Sequence, residues 1–198
     1  MKKFSVLFLC LTLVAFVSCK DGKKESKEAD QATEQEMPEV QEEAEPATKS
    51  LTVDIASKSG SDVTGQLVFT EEDGKVKLEG ELEGLEAGKQ QAIHLHEKGD
   101  CSADDATSAG GHWNPMNEEH GKWDSKDGYH KGDIGNLKVD QDGKASITFE
   151  TDQWCIDCDD KAKNIVGKAV VVHEGADDFK TQPTGDAGGR VGCGVIIK

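Results

Sequence analysis

The residues in this chain best equipped for chemistry are its six histidines, and their placement is strongly patterned. Five of them fall between Ile93 and Asp133, in AIHLHEKGD, GGHWNP, EEHGKW and YHKGD, and His173 is the sixth. In Ala92-Ile-His-Leu-His-Glu97, alternation puts Ile93 and Leu95 on one face of a β-strand and His94 and His96 on the other. One face is expected to pack and the other to coordinate. His112, His120, His130 and Asp133 follow in a stretch rich in Gly, Asn, Lys and Asp, which has little of its own to bury. Imidazoles with a carboxylate are the ligands that would pin such a loop to Zn2+ or Cu2+, and the metal would then serve as its core. A lone histidine is ordinarily a surface residue or a satisfied core residue. Here all six share one pattern, which sets them apart.

Over residues 51–198 the sequence resembles the copper/zinc superoxide dismutases. The resemblance rests on His94-x-His96, His112, His120, His130-x-x-Asp133, Val171-Val172-His173-Glu174, and the closing Gly189-Arg190-Val191-Gly192-Cys193-Gly194-Val195-Ile196. It implies that copper is held by His94, His96, His112 and His173, and zinc by His112, His120, His130 and Asp133. His112 would bridge the two as an imidazolate, since a ring that has lost both N–H protons can present a nitrogen to each cation. Asp177 matches the aspartate that in this family orients one copper ligand and one zinc ligand. Arg190 matches the family's active-site arginine, a planar and permanently charged partner for an anion. The implied activity is conversion of superoxide to dioxygen and hydrogen peroxide, with copper cycling between two oxidation states, zinc redox-silent and His112 acting also as general acid. The sequence departs from the animal enzymes in a longer His120–His130 spacing and a shorter Asp177–Arg190 segment. Pro183 stands where those enzymes often carry a lysine, which leaves Lys180 as the candidate cation of that segment.

The elements that must position these residues are short strands. Leu51–Ser57, Gly65–Thr70, Lys75–Glu83, Ile134–Val139, Ala145–Glu150, Lys168–His173 and Gly192–Ile197 join the His94–His96 strand, with turns at Glu72-Asp-Gly74 and Asp140-Gln-Asp-Gly143. No stretch of the domain reads as a long amphipathic helix. The expected class is all-β, a sandwich or barrel. The resemblance narrows it to an eight-stranded Greek-key barrel with two long functional loops, Gly99–Asp133 and Glu174–Gly189.

Ahead of this domain, Met1-Lys-Lys, the apolar run Phe4–Val17 and Ser18-Cys19 resemble a bacterial lipoprotein signal with Phe16 in place of the usual leucine. The expectation is an exported protein of the cell envelope, anchored to membrane only through lipid at Cys19. Residues 19–50 are an acidic tether with no aromatic residue, a composition that cannot offset its ordering entropy. A net charge of −16 argues against nucleic acid as a partner, because no basic patch is present to release counterions. Beyond Cys10 and Cys19, four cysteines remain, which allow three pairings. Cys155 and Cys158 are expected to pair locally, and the resemblance selects Cys101 with Cys193. Trp154-Cys-Ile-Asp-Cys158 also has the spacing of thiol oxidoreductases, but that motif works at a helix N-terminus in a βαβ unit, which the surrounding sequence lacks. The rival reading from another class is a non-catalytic copper- or zinc-binding module of the envelope, which would need the histidines but not Arg190. A homodimer fits the resemblance without being specified by it.

Overall fold

The computed structural model describes residues 48–198; the expected signal segment, Cys19 and nearly all of the expected tether lie outside the described residues. Eight strands follow one another as β1 (Lys49–Ser57), β2 (Thr64–Glu72), β3 (Lys75–Glu83), β4 (Gln90–His96), β5 (Gly135–Lys138), β6 (Ala145–Thr151), β7 (Ala169–His173) and β8 (Arg190–Val195). They form one antiparallel sheet in the order β5-β4-β7-β8-β1-β2-β3-β6. The two end strands, β5 and β6, follow each other in sequence and come back into contact, so the sheet curls into a nearly closed barrel. Among the described residues the sole helical element is the 3-10 turn Thr107–Ala109, and no helix is long and apolar enough to cross a membrane.

The strands form where alternation says they should. Val53 and Ile55 of β1, Leu67 and Phe69 of β2, and Val76, Leu78 and Leu82 of β3 point inward and are buried, with Asp54, the half-buried Val68, Lys77, Glu79 and Glu81 on the outer face between them. Each such side chain contributes roughly 1.5–3 kcal/mol by leaving water. The β2–β3 hairpin closes through Asp73-Gly74, both at positive φ (49° and 74°), as the tightest hairpin turns require. At strand ends the pattern is less informative. β1 begins at Lys49, two residues before the apolar alternation, because Lys49 and Ser50 pair with Glu71 and Thr70 in the ladder although neither is buried. β8 runs Arg190–Val195 rather than Gly192–Ile197. Ile196 is buried but is held outside the ladder by bonds to Gly167 and Lys168.

Both faces of β4 are covered, since Gln91–His96 are all buried. Ile93 and Leu95 face the barrel core. The opposite face lies under the long loop that follows β4, where Ala169, Val171 and Cys193 from β7 and β8 pack with Ala106 and Ala109 of the loop in a second, small apolar cluster. The loop also has anchors besides its candidate metal residues. Trp113 is buried in the main core, and Trp123 stands edge-on to Phe149 and Trp154. Two disulfides are present: Cys101–Cys193 ties this loop to β8, and Cys155–Cys158 closes a tight turn after β6.

Candidate metal centre

β4, β7 and the loop place the histidines by register. His94 pairs with Val171 and His96 with Ala169, so His173, two residues beyond Val171, projects from the same face as both. The loop returns to β4 and extends its ladder: Trp113 N–H donates to Leu95 O (2.8 Å), Leu95 N–H to Gly132 O (2.9 Å) and Gly132 N–H to Trp113 O (3.0 Å). His112 thereby lies opposite His96. Its ring centroid is 4.0 Å from that of His94 and 5.0 Å from that of His96. His96 Nε2 and His173 Nε2 are 3.3 Å apart.

Beyond His112 the loop gathers a second set around Asp133. Its Oδ1 is 2.8 Å from His112 Nδ1 and 3.3 Å from His130 Nδ1, and its Oδ2 is 3.0 Å from His120 Nδ1. Backbone N–H groups of His130 (2.8 Å) and Gly121 (3.2 Å) donate to Oδ2. Two groups of four therefore exist, His94, His96, His112 and His173, and His112, His120, His130 and Asp133. All seven residues are buried, and within each group one donor atom per residue lies within 4.8 Å of the others.

Hydrogen bonds around the centre fix which ring nitrogen of each histidine faces inward. A carbonyl or carboxylate oxygen can only accept, so a ring nitrogen beside one must carry its hydrogen there. His96 Nδ1 donates to Gly110 O (2.9 Å), His173 Nδ1 to Gly188 O (3.4 Å) and His130 Nε2 to Glu118 O (3.1 Å). Asp177 takes two such bonds, one at each oxygen: His94 Nε2–Oδ2 and His120 Nε2–Oδ1, both 2.9 Å. Five rings thus spend one nitrogen on an outer acceptor and aim the other inward. His112 alone has no outer acceptor. Its Nδ1 meets Asp133 in one group, and its Nε2 faces the other group with no partner.

Several residues that sequence reasoning did not single out hold this arrangement. Asn136 on β5 clamps the backbone of Asp177, its Nδ2 donating to Asp177 O (2.9 Å) and its Oδ1 accepting from Asp177 N–H (2.8 Å). Gln182 does the same for His120, at 2.8 and 2.9 Å. A Cβ on Gly185, at φ +70°, would overlap Asp177 Oδ1, so only glycine permits the second loop to close this tightly. Arg190 pairs with His173 across a bulge, and its Nη1 and Nη2 donate to Ala106 O and Gly110 O, each at 2.7 Å. Gly110 O therefore serves both Arg190 and His96. Lys180 is exposed in the second loop.

The metal-free electrostatics are those of a site built for cations. Burial would raise the Asp133 carboxyl, but the imidazoles of His112, His120 and His130 beside it outweigh it and hold it far below the usual range. Asp177 is depressed in the same way by His120 and His94. Burial, with neighbouring imidazoles, pushes His173 down to about 3 and His96 well below its ordinary value. Burial lowers His112 to about 4 against the pull of Asp133. His120 is opposed by burial too, yet it touches two carboxylates and rises to about 9. His94 Nδ1, His112 Nε2, His120 Nδ1 and His130 Nδ1 are buried with no hydrogen-bond partner, an arrangement that costs about 1–3 kcal/mol per group unless something accepts their lone pairs. A three-nitrogen, one-carboxylate set suits Zn2+, and a four-imidazole set suits copper. The donors fit both metals.

Residues 63–196 match the profile of the family described as Copper/zinc superoxide dismutase (SODC). Superoxide dismutase [Cu-Zn] of Paramecium bursaria Chlorella virus 1 is 41% identical over 141 residues, 68% of this chain and 72% of that protein. The superoxide dismutase-like protein YojM of Bacillus subtilis (strain 168) is 39% identical over 116 residues, 57% of this chain and 58% of that protein, so the match spans less than two thirds of that relative. A crystal structure of a SOD-like protein from Bacillus subtilis superimposes with a TM-score of 0.67 at 32% identity, covering 76% of this chain and all of that one.

Proposed function

Because the chain belongs to the copper/zinc superoxide dismutase family, we propose that it is an enzyme of that activity, converting two superoxide anions and two protons to dioxygen and hydrogen peroxide. The observation that carries this reading is His112, the one imidazole with both nitrogens turned inward and shared by two four-donor groups. His94, His96, His112 and His173 would hold copper, and His112, His120, His130 and Asp133 would hold zinc. Copper would supply the one-electron acceptor and donor that no side chain of this protein provides, and zinc a fixed, redox-silent positive charge.

The chain's own residues do the rest. Arg190 is held by two backbone carbonyls, which leaves its remaining N–H groups to receive an anion beside His173, and desolvation strengthens that attraction. His112 Nε2 is the one inward nitrogen without an outer acceptor to anchor its ring, so it is the atom that can take up a proton and return it to a reduced oxygen. His112 Nδ1 stays with Asp133 and keeps the ring in place during that transfer. Asp177 keeps His94 and His120 in the tautomers that face inward.

The name of the Bacillus relative, superoxide dismutase-like, favours a second reading, a metal-binding module without turnover. Elemental analysis with a superoxide-consumption assay separates the two. The enzyme reading expects one copper and one zinc per chain and catalytic consumption. It also expects loss of activity in His94→Ala and His173→Ala with retained β-sheet circular dichroism. Zinc alone, with no activity after copper loading, supports the module.

A further inference from the structure

The bridge Cys155–Cys158 belongs to neither group of metal donors, and the proposed function makes no use of it. It joins cysteines three positions apart, whereas Cys101–Cys193 joins cysteines 92 apart and fastens the metal loop to β8. The segment around the short bridge is held without it. Cys155 N–H donates to Lys163 O (2.9 Å), and Ile165 N–H to Cys155 O (3.1 Å). The Asn164 side chain accepts from Asp157 N–H (3.2 Å) and Val166 N–H (3.0 Å), and donates to Cys158 O (2.9 Å). Ile156 is buried, and its backbone is gripped by Glu71 and Lys49, each at 2.8 Å. Trp154 is buried and donates to Lys131 O (2.8 Å).

A bridge whose opening loses little folding free energy is easily reduced, because the reduction potential of a disulfide falls with the stability that the bridge confers. The sulfurs also differ in access: Cys155 is buried, while Cys158 is half-buried on a surface turn. The Cys158 Sγ lies 3.6 Å from Asp160 O, an acceptor already in place for a thiol hydrogen.

We propose that Cys155–Cys158 is a thiol–disulfide exchange site that takes two electrons from a protein dithiol while the barrel, the metal donors and the Cys101–Cys193 bridge stay intact. A partner thiolate attacks Cys158 Sγ, and the Cys155–Cys158 bond breaks as Cys155 leaves as thiolate and takes a proton. The partner's second thiol then attacks the mixed disulfide and releases Cys158 as thiol. The protein gains two electrons and two protons, and the partner is oxidised to its disulfide. The partner class is a small exported dithiol protein of the thioredoxin type.

The test is an anaerobic glutathione titration of the metal-loaded full chain, read by thiol alkylation and peptide mass mapping. It is paired with thioredoxin whose resolving cysteine is replaced by serine, as a trap. Cys155 and Cys158 should become alkylated under conditions at least about tenfold less reducing than Cys101 and Cys193 require. The melting transition should stay cooperative at that point, and the trap should cross-link at Cys158 and not to a Cys155→Ser/Cys158→Ser variant. Simultaneous opening of the two bridges, earlier opening of the long one, loss of cooperative melting, or no cross-link at Cys158 overturns the proposal. None of these readouts depends on superoxide consumption, so its failure is distinguishable from failure of the enzyme reading.

Discussion

At the scale of single residues, the centre is defined less by its donors than by what turns them inward. Asp177 holds one ring from each donor group through one oxygen apiece. Asp177→Asn cannot accept at both positions, and loss of such an outer carboxylate ordinarily weakens metal retention by about 10- to 100-fold. Chelator competition should show this for zinc and copper together, because His94 and His120 sit in different groups; an effect on one metal alone would contradict the bridging role. His120 yields a prediction in pH. Its value in the metal-free fold, about 9, lies above the ordinary 6.5, so the folded apoprotein holds an extra proton between those limits. That contribution to apoprotein stability is complete below about pH 6.5 and is lost as pH rises through about 9. Zinc needs the neutral ring. Zinc affinity should therefore rise about tenfold per pH unit across this window and level off above it, with about one proton released per zinc at pH 7.5. Calorimetry in buffers of different ionisation enthalpy measures that proton directly.

At the scale of elements, the two disulfides differ in what they constrain. In the chain-entropy picture the long bridge contributes about 4–5 kcal/mol and the short one about 2 kcal/mol. Cys101→Ser/Cys193→Ser should lower denaturant stability by up to that larger amount. It should also lower activity in the still-folded protein, because the freed loop carries the two carbonyls that hold Arg190. Unchanged turnover at full metal occupancy would show that Arg190 needs no such support. The strands, and the six histidines and Asp133 that the fold brings together, were legible in the sequence because alternation and His/Asp spacing are side-chain signals. The supports were not legible. Gly110 acts through a carbonyl that any residue would have, and Asn136 and Gln182 are amides whose partners are 41 and 62 residues away. The small cluster beneath the long loop was hidden for a related reason: it is built from Ala106, Ala109, Ala169 and Val171, too small and scattered to read as a core.

At the scale of the whole molecule, a chain of net charge −16 is proposed to act on an anion. Salt screens charges beyond about 8–10 Å, so an anion in the cleft responds to the last few groups it meets. Arg190 is the cation at the centre, its pKa drawn below the ordinary value by burial against the opposing pull of Asp105, and Lys180 is exposed on the neighbouring loop. If local charge governs, the wild-type rate falls with ionic strength, Arg190→Gln loses at least about tenfold, and Lys180→Gln shows a flatter salt dependence. A wild-type rate that rises with salt would mean that the global repulsion dominates. The two donor groups also differ in reach along the chain. The zinc-type group, His112 to Asp133, lies in one loop, whereas the copper-type group needs β4, which carries His94, to be paired with β7, which carries His173. Chain closures over short separations form sooner than distant ones. As the polypeptide emerges and folds, the first group can therefore assemble before the second exists, and a cation captured early at Asp133 would act as a template that holds His112 ready for the strands still to arrive.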